Sequence, residues 1–191
     1  MKKVFCITSA CILLATVISS CSIGTKKAYY SEDNIREEIP SYLKSESLDK
    51  KDIKIKRTLE IGDVKYILFE ANKKIGDAEV THGINANGDE YYDLGSVGYN
   101  NKCFFSTLSN NKSGNYIIVE GKNIDKKIAY IKCTLDNEEY NIHIPKEEYF
   151  IESAKINGPS KVTDKNFNNI KFYDDNDIEI TKDVSKELFG E

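Results

Sequence analysis

Tryptophan is absent from this chain of 191 residues, and histidine occurs only at His82 and His143. Neither histidine belongs to an HExxH motif and no CxxC pair is present, so the usual zinc-site patterns are missing. A GxSxG nucleophile elbow is missing as well. A catalytic role would require one of the histidines to meet a carboxylate or a reactive cysteine in space. We therefore expect a protein that is not an enzyme and that carries no cofactor.

The chain also lacks an excess of basic residues. Lysine and arginine together number 27 against 31 aspartates and glutamates, which gives a formal net charge of −4 at pH 7. Nucleic-acid binding requires a basic face, and this composition gives no reason to expect one. We therefore expect no nucleic acid among the partners.

The first 21 residues follow the order of a secretory signal: Lys2 and Lys3, then an apolar run over 4–18, then small residues before Cys21. The run is shorter than the roughly 20 residues of a spanning helix. Its end, Ile-Ser-Ser-Cys, resembles a bacterial lipobox. The resemblance implies cleavage after residue 20 and a diacylglyceryl group on the Cys21 thiol, with acyl chains such as palmitate. We expect a signal peptide over 1–20 and a lipid anchor on the extracytoplasmic face of the cell membrane.

Five cysteines become three once the signal peptide is removed, because Cys6 and Cys11 leave with it. Cys103 and Cys133 then remain beside the lipidated Cys21. An even pair outside the cytoplasm permits a disulfide bond. The alternative is that Cys133, which shares a strand face with apolar neighbours, is a free thiol in the core. Both interpretations stay open at this point.

Residues 31–108 are predicted to form a helix followed by an antiparallel β-meander, after a lipidated tether over 21–30. Apolar residues recur at helical spacing over 31–46, and Pro40 is expected to kink or split this helix. The apolar period then changes to two, and 88–108 is expected to continue the same sheet. Strands are predicted over 53–60, 64–71 and 78–84, with turns at Gly62-Asp63, Gly76-Asp77 and Asn87-Gly88.

Residues 109–115 (SNNKSGN) contain no apolar side chain and are the predicted boundary between two modules. Beyond them, short β segments recur at intervals of roughly 8–12 residues, which favours a β-sandwich over 115–181. The final residues, 182–191, are predicted to be a loose tail or a short helical turn. Strands are predicted over 116–121, 127–135, 139–145, 149–154, 169–174 and 177–181.

Two segments of this half, Tyr116–Gly121 (YIIVEG) and Ile170–Ile180 (IKFYDDNDIEI), resemble the first and last strands of immunoglobulin-like modules. Such modules lie at the C-terminus of small surface lipoproteins of Bacillus-type and related low-GC Gram-positive bacteria. The helix and meander before them are similar to those proteins too. The resemblance implies an α+β, mainly β chain that ends in an immunoglobulin-like β-sandwich. The chain differs from antibody domains, which bury a tryptophan. The resemblance does not identify any functional residue.

Four oxygen-bearing side chains follow one another at residues 174–177. Calcium prefers oxygen ligands, so Asp174, Asp175 and Asp177 are candidate ligands of a weak calcium site. Asp and Asn also bond to their own backbone in turns, and turn chemistry alone explains the run. We favour the turn and expect no metal.

The expected function is that of a non-catalytic binding or adaptor protein of the cell envelope, with an envelope protein, a peptide or a wall polymer as its partner. Twelve tyrosines supply candidate interface rings, although most are expected in the core. The alternative is an immunity or inhibitor lipoprotein that blocks a secreted lytic enzyme or toxin, because an acidic surface would suit a basic enzyme. A hydrolytic enzyme is the least favoured hypothesis.

Overall fold

The computed structural model describes residues 32–43, 48–157 and 167–189, and over these the chain is mainly β. Strands make up 56% of the described residues and form three antiparallel sheets, accompanied by two short α-helices. The predicted fold class is confirmed at that level. The predicted signal peptide, the predicted lipidation residue Cys21 and the predicted tether lie outside the described residues. No helix in the described ranges has the length and apolar character needed to cross a membrane.

The elements are named in chain order. The helices are α1 (Glu32–Tyr42) and α2 (Thr181–Phe189). The strands are β1 (Lys54–Ile61), β2 (Val64–Ala71), β3 (Lys74–Ile84), β4 (Glu90–Asn100), β5 (Phe104–Asn111), β6 (Gly114–Lys122), β7 (Tyr130–Leu135), β8 (Glu138–His143), β9 (Tyr149–Lys155) and β10 (Phe167–Tyr173). They form a first sheet in the order β1-β2-β3-β4, a middle sheet in the order β5-β6-β9 and an outer sheet in the order β10-β7-β8.

The first sheet and α1 confirm the predicted helix and meander as far as β4, whereas residues 104–108, predicted in the same sheet, belong to β5 of the middle sheet. Ile35 and Ile39, four residues apart on α1, are buried against the apolar face that alternation gives to β2 and β3. Pro40 does not split the helix, which continues to Tyr42. Tyr42, the last residue of α1, is 48% exposed and its hydroxyl donates to the carbonyl of Leu94.

The turn predicted at residues 76–77 is wrong. The chain turns earlier, at Asn72 and Lys73, whose φ angles are 49° and 66°. Gly76 instead lies inside β3, where a Cβ atom would approach the Phe69 ring to 2.3 Å and the Gly98 carbonyl oxygen to 2.6 Å. The glycine is required there for close packing, and such a glycine has the same sequence signature as a turn.

The predicted module boundary at 109–115 is also wrong, because this segment is a hairpin within the middle sheet. β5 runs to Asn111, which pairs with Gly114 at the start of β6. The polar residues serve the turn: the Asn111 side-chain oxygen accepts a hydrogen bond from the Ser113 amide at 2.8 Å. The predicted first module, 31–108, thus contains part of β5, and Tyr116–Gly121 lies in a second, central strand and not in a first one.

The C-terminal end of the chain differs from its prediction in two ways. The strand predicted over 177–181 is a single bridge between Tyr173 and Glu179. The tail predicted over 182–191 is largely the nine-residue helix α2. Val184 and Leu188 are four residues apart and buried, so one stripe of this helix closes the end of the core. The Cys103 amide donates to the Leu188 carbonyl at 2.6 Å and fixes the helix end.

The three sheets and α1 are stacked as layers. The middle sheet is buried on both faces: Ile117 and Val119 pack toward the outer sheet, whereas Ile118 and Ile151 pack toward the first sheet. The apolar run at the centre of β6 follows from this, because neither face of that strand meets water. The core between the middle and outer sheets also includes the buried stripe of α2.

Candidate functional site

Three connections meet at one end of the sandwich formed by the middle and outer sheets. They are 123–129 after β6, 144–148 after β8 and 174–180 after β10, and we call this group the loop end. Strand pairing places them together, because Tyr130 at the start of β7 pairs with both His143 and Tyr173 at the ends of the neighbouring strands. Loops held by a rigid sandwich are common positions for binding residues.

Asn123 joins two of these loops from the inside. Its side chain is fully buried, with 0% relative exposure. The amide nitrogen donates to the carbonyls of Ile128 at 2.9 Å and Pro145 at 3.2 Å, and the amide oxygen accepts from the Ile128 nitrogen at 3.0 Å. Its backbone amide donates to the Glu148 carbonyl at 2.8 Å. This buried side chain gives hydrogen-bond partners to the backbone amide and carbonyl of Ile128, which would otherwise be buried without any.

Ion pairs and backbone geometry define the loop end further. Lys146 pairs with Asp175 at 2.7 Å and so links the second and third loops. Lys127 pairs with Asp125 at 2.9 Å within the first loop. Asp125 and Lys126 have φ angles of 54° and 56°. This left-handed conformation costs energy for residues other than glycine, and it persists only where the surrounding structure holds it. The loop end therefore has a defined shape before any partner arrives.

Two pockets open beside the first loop. One of about 460 Å³ is lined by acidic side chains, by Lys127 and by the apolar Ile180 and Val184. The other, of about 440 Å³, is lined by residues 122–126 and Glu148. Both volumes fall in the range of ordinary ligand clefts. The surface presents mixed charge with small apolar areas between.

The candidate calcium ligands lie in this loop end but are used by the turn. Asp174 Oδ1 accepts from the backbone amides of Asn176 and Ile178, each at 2.9 Å. These amides, Ile178 first, lower the pKa of the Asp174 carboxyl below its ordinary value. Asp177 accepts from the Tyr130 hydroxyl at 2.9 Å, and Asp175 pairs with a lysine. Within the described ranges, no group of three His, Cys, Asp or Glu side chains is arranged to hold a metal.

A group of rings continues the loop end onto the face of the outer sheet that points away from the sandwich core. Tyr130 and Tyr173 are stacked with centroids 4.8 Å apart and planes at 4°, and His143 lies 6.3 Å from Tyr130. Lys132 Nζ lies over both tyrosine rings, 5.9 Å and 5.2 Å from their centroids. We call these four residues the tyrosine face. Rings and a cation held in this way form a rigid amphipathic surface.

The environment of Tyr130 keeps its hydroxyl protonated. Burial, followed by the hydrogen bond to the Asp177 carboxylate, raises the pKa of Tyr130 to about 12. The hydroxyl therefore donates to Asp177 throughout the physiological pH range. This bond ties the tyrosine face to the third loop of the loop end.

The remaining candidate residues are separated. Cys103 and Cys133 are both free thiols, so the disulfide is not formed. Cys133 is 1% exposed, as the core alternative predicted, and its Sγ lies 3.9 Å from the Tyr140 carbonyl. His143 is exposed on β8. His82 is in the first sheet, stacked on Tyr92 at 4.9 Å and 3.8 Å from Glu90, so the two histidines do not come together.

Sequence reasoning missed Asn123 and the Tyr130–Tyr173 stack. Two of the three side-chain hydrogen bonds of Asn123 are to Ile128 in its own loop, and only the bond to Pro145 joins two loops. That last bond has no local signal in the sequence. A signal for the stack did exist. Tyr130 and Lys132 alternate with Ile131 and Cys133 on β7, which places the first two on the face opposite the sandwich core, where Tyr130 is still only 9% exposed.

The fold and the site together define a mainly β protein in which a layered sheet structure presents a fixed cluster of loops and a stacked aromatic surface. Comparison of the chain with protein-family models, with curated proteins and with solved structures gave no match.

Proposed function

We propose that this chain is a lipoprotein anchored through Cys21 on the extracytoplasmic face of the cell membrane, and that it binds an envelope protein, peptide or wall polymer without catalysis. The binding surface in this proposal is the loop end with the adjoining tyrosine face. The anchor is supported by the signal-like order of the first 21 residues. The observation that carries the binding role is the loop end held in one shape by buried Asn123.

A fixed shape supports binding for an energetic reason. Ordering flexible loops at an interface costs about 0.5–1.5 kcal/mol for each immobilised side chain, and a surface ordered in advance avoids that cost. Tyrosine rings with little freedom are among the residues that contribute most to interfaces. A mixed-charge loop cluster beside a stacked ring pair suits a polar partner with flat or apolar groups.

We further propose that the C-terminal sandwich is immunoglobulin-like. The order β5-β6-β9 in one sheet and β10-β7-β8 in the other corresponds to strands A-B-E and F-C-C′ of that fold, with α2 in the place of a final strand. In this correspondence the loop end contains the connections that follow strands B and F. Those connections carry the partner-binding loops in immunoglobulin variable domains, which supports the same end here.

The binding proposal is tested by capture from membrane and wall fractions with the purified full chain. Tyr173→Ala removes half of the ring stack, and Asp175→Lys reverses a charge of the loop end. The matched control is Lys54→Glu, which changes an exposed residue of β1 in the first sheet, away from the loop end. We expect each of the first two variants to recover about tenfold less partner, which corresponds to about 1.4 kcal/mol of binding free energy. Equal recovery by all variants, or turnover of a substrate, would contradict the proposal.

The anchor is tested separately. Cys21→Ala should move the protein from the membrane fraction to the soluble fraction, because two or more acyl chains provide stable attachment and none would remain. Continued membrane association of the unacylated variant would refute the anchor and leave the binding test unaffected.

The inhibitor hypothesis is the second candidate, and one observation favours it. The pocket of about 460 Å³ places Asp174, Asp175 and Asp183 around an apolar floor. A lysine or arginine of a basic lytic enzyme would meet both charge and apolar contact there. Protection of cells against such an enzyme, lost with Asp183→Lys and weakened by salt, would support this candidate. Unchanged sensitivity of a deletion strain would remove it.

A further inference from the structure

Glu120 is a carboxyl group in the interior of the protein. It lies on β6 with 3% relative exposure, and its Oε2 is buried without a hydrogen-bond partner in the described part of the chain. Ile118, two residues earlier on the same strand, packs toward the first sheet, so alternation directs Glu120 to that side as well. The contact between the first and middle sheets therefore contains an acid.

The groups of the described chain that face Glu120 include no base that could pair with its carboxylate. From β3 come Asp77 and Glu79, which lie on the same side of the first sheet as the buried Ile75. From β2 comes Tyr66, whose hydroxyl is bonded to Ser109 of β5. From β9 comes Tyr149. We call Glu120, Asp77 and Glu79 the interlayer carboxyl cluster.

Nearby cations are engaged elsewhere. Lys122, on the same side of β6, pairs with Glu148 at 3.0 Å. Lys56 lies 3.7 Å from Glu70, a carboxylate at the margin of the same contact that also accepts from the Tyr149 hydroxyl. The protein thus pairs Glu70 with a base at one end of the contact and surrounds Glu120 with acids at the other.

Burial first, and then the charges of Asp77 and Glu79, raise the pKa of Glu120 well above its ordinary value. Burial also raises the pKa of Asp77 and of Glu79. A carboxyl whose pKa is raised in the closed state stabilises that state fully at pH below the ordinary carboxyl range. The stabilisation is lost as the pH rises through the raised value.

We propose that the contact between the first and middle sheets is a pH-sensitive joint, which is closed while Glu120 holds a proton and loosens when Glu120 is ionised. Asp77 and Glu79 set the pH at which this occurs. The joint lies between the meander that follows the anchor and the sandwich that carries the loop end. Ionisation would give the loop end more freedom relative to the anchored side of the chain.

The absence of tryptophan makes a direct test available. Phe105 pairs with Glu120 across the middle sheet and packs in the contact, so Phe105→Trp places a single fluorophore there. Phe189→Trp, at the end of α2 away from the contact, is the control reporter. Emission is recorded for the purified full chain over a pH series, with and without Glu120→Gln.

We expect the Phe105→Trp emission to shift to longer wavelength as the pH rises above the ordinary carboxyl range, while the Phe189→Trp emission stays constant. The open-to-closed ratio should increase by about tenfold per pH unit over the transition. Glu120→Gln should abolish the shift. Adding Asp77→Asn and Glu79→Gln should move the transition to lower pH, because the neighbours that raise the Glu120 pKa are then neutral. A constant emission, or a shift that persists in the Glu120→Gln variant, would overturn the proposal.

A second measurement covers the case in which the tryptophan variants fail to fold. Side-chain carbon NMR of the unsubstituted protein, with glutamate labelled at the carboxyl carbon, follows the titration of Glu120 directly. A titration midpoint well above the ordinary carboxyl range is expected for Glu120. A midpoint in the ordinary carboxyl range would refute the joint.

Discussion

Replacing Asn123 tests whether one buried amide holds the loop end in shape. Asn123→Ala removes three side-chain hydrogen bonds, with lengths of 2.9 Å, 3.2 Å and 3.0 Å. Two partners are left without a hydrogen bond: the amide and the carbonyl of Ile128, a residue that is 1% exposed. The Pro145 carbonyl loses the Asn123 donor but still accepts from the Glu147 amide at 2.7 Å. Each buried group left without a partner costs about 1–3 kcal/mol.

Water can reach these two groups once the loops relax, so their penalties do not add in full. We expect Asn123→Ala to lower the free energy of unfolding by about 2–4 kcal/mol. Asn123→Asp keeps the size and the acceptor but turns both donors into an acceptor that faces two carbonyls. It should cost at least as much as alanine at neutral pH.

Urea unfolding gives the free energies, and amide hydrogen exchange at Ile128 reports on the loop itself. Asn141→Ala, on the exposed face of β8, is the control and should change stability by less than about 0.5 kcal/mol. If Asn123→Ala costs less than about 1 kcal/mol and leaves Ile128 exchange unchanged, the amide does not hold the loops together and the argument for a fixed loop end fails.

Three further predictions concern packing and the thiols. Gly76→Ala should lower the free energy of unfolding by about 1–3 kcal/mol, whereas Gly95→Ala, whose methyl meets no atom closer than 3.7 Å, should change it by less than about 0.5 kcal/mol; equal losses in urea unfolding would contradict the close approach to Phe69. Leu188→Ala should cost about 2–5 kcal/mol, because the side chain is 1% exposed, and an unchanged thermal midpoint would show that α2 is not docked. Burial raises the pKa of the Cys133 thiol to about 11, so iodoacetamide should label Cys133 slowly near neutral pH in the folded protein and rapidly in urea. Prompt labelling of Cys133 itself in the folded protein would refute its burial.

The first half of the fold was largely readable from period-two alternation. β2 was predicted at its observed bounds, since its apolar residues face α1 and the middle sheet in turn. The errors arose where a residue type has two physical uses. Gly76 has the sequence signature of a turn, but its missing side chain leaves space for the Phe69 ring. The polar residues at 109–115 are typical of a module boundary, but they form the end of a hairpin.

The candidate site was only partly predictable, because its geometry depends on contacts between distant segments. The turn chemistry of Asp174 is local and was expected on that ground. The bonds of Asn123 to Pro145 and of Tyr130 to Asp177 join segments 22 and 47 residues apart, and no local pattern encodes them. Helix α2 was predicted only as a loose tail or a short helical turn, because one buried stripe over nine residues is a weak periodic signal.

Because the middle sheet is buried on both faces, the chain cannot be divided into two stable fragments. A fragment ending near residue 108 would expose the apolar face of β2 and leave β5 without its partner β6. A fragment beginning near residue 115 would expose Ile118 and Ile151 to water and create an open strand edge where β5 had been. Neither half is suited to independent expression, and we expect each to aggregate under conditions in which the whole chain does not.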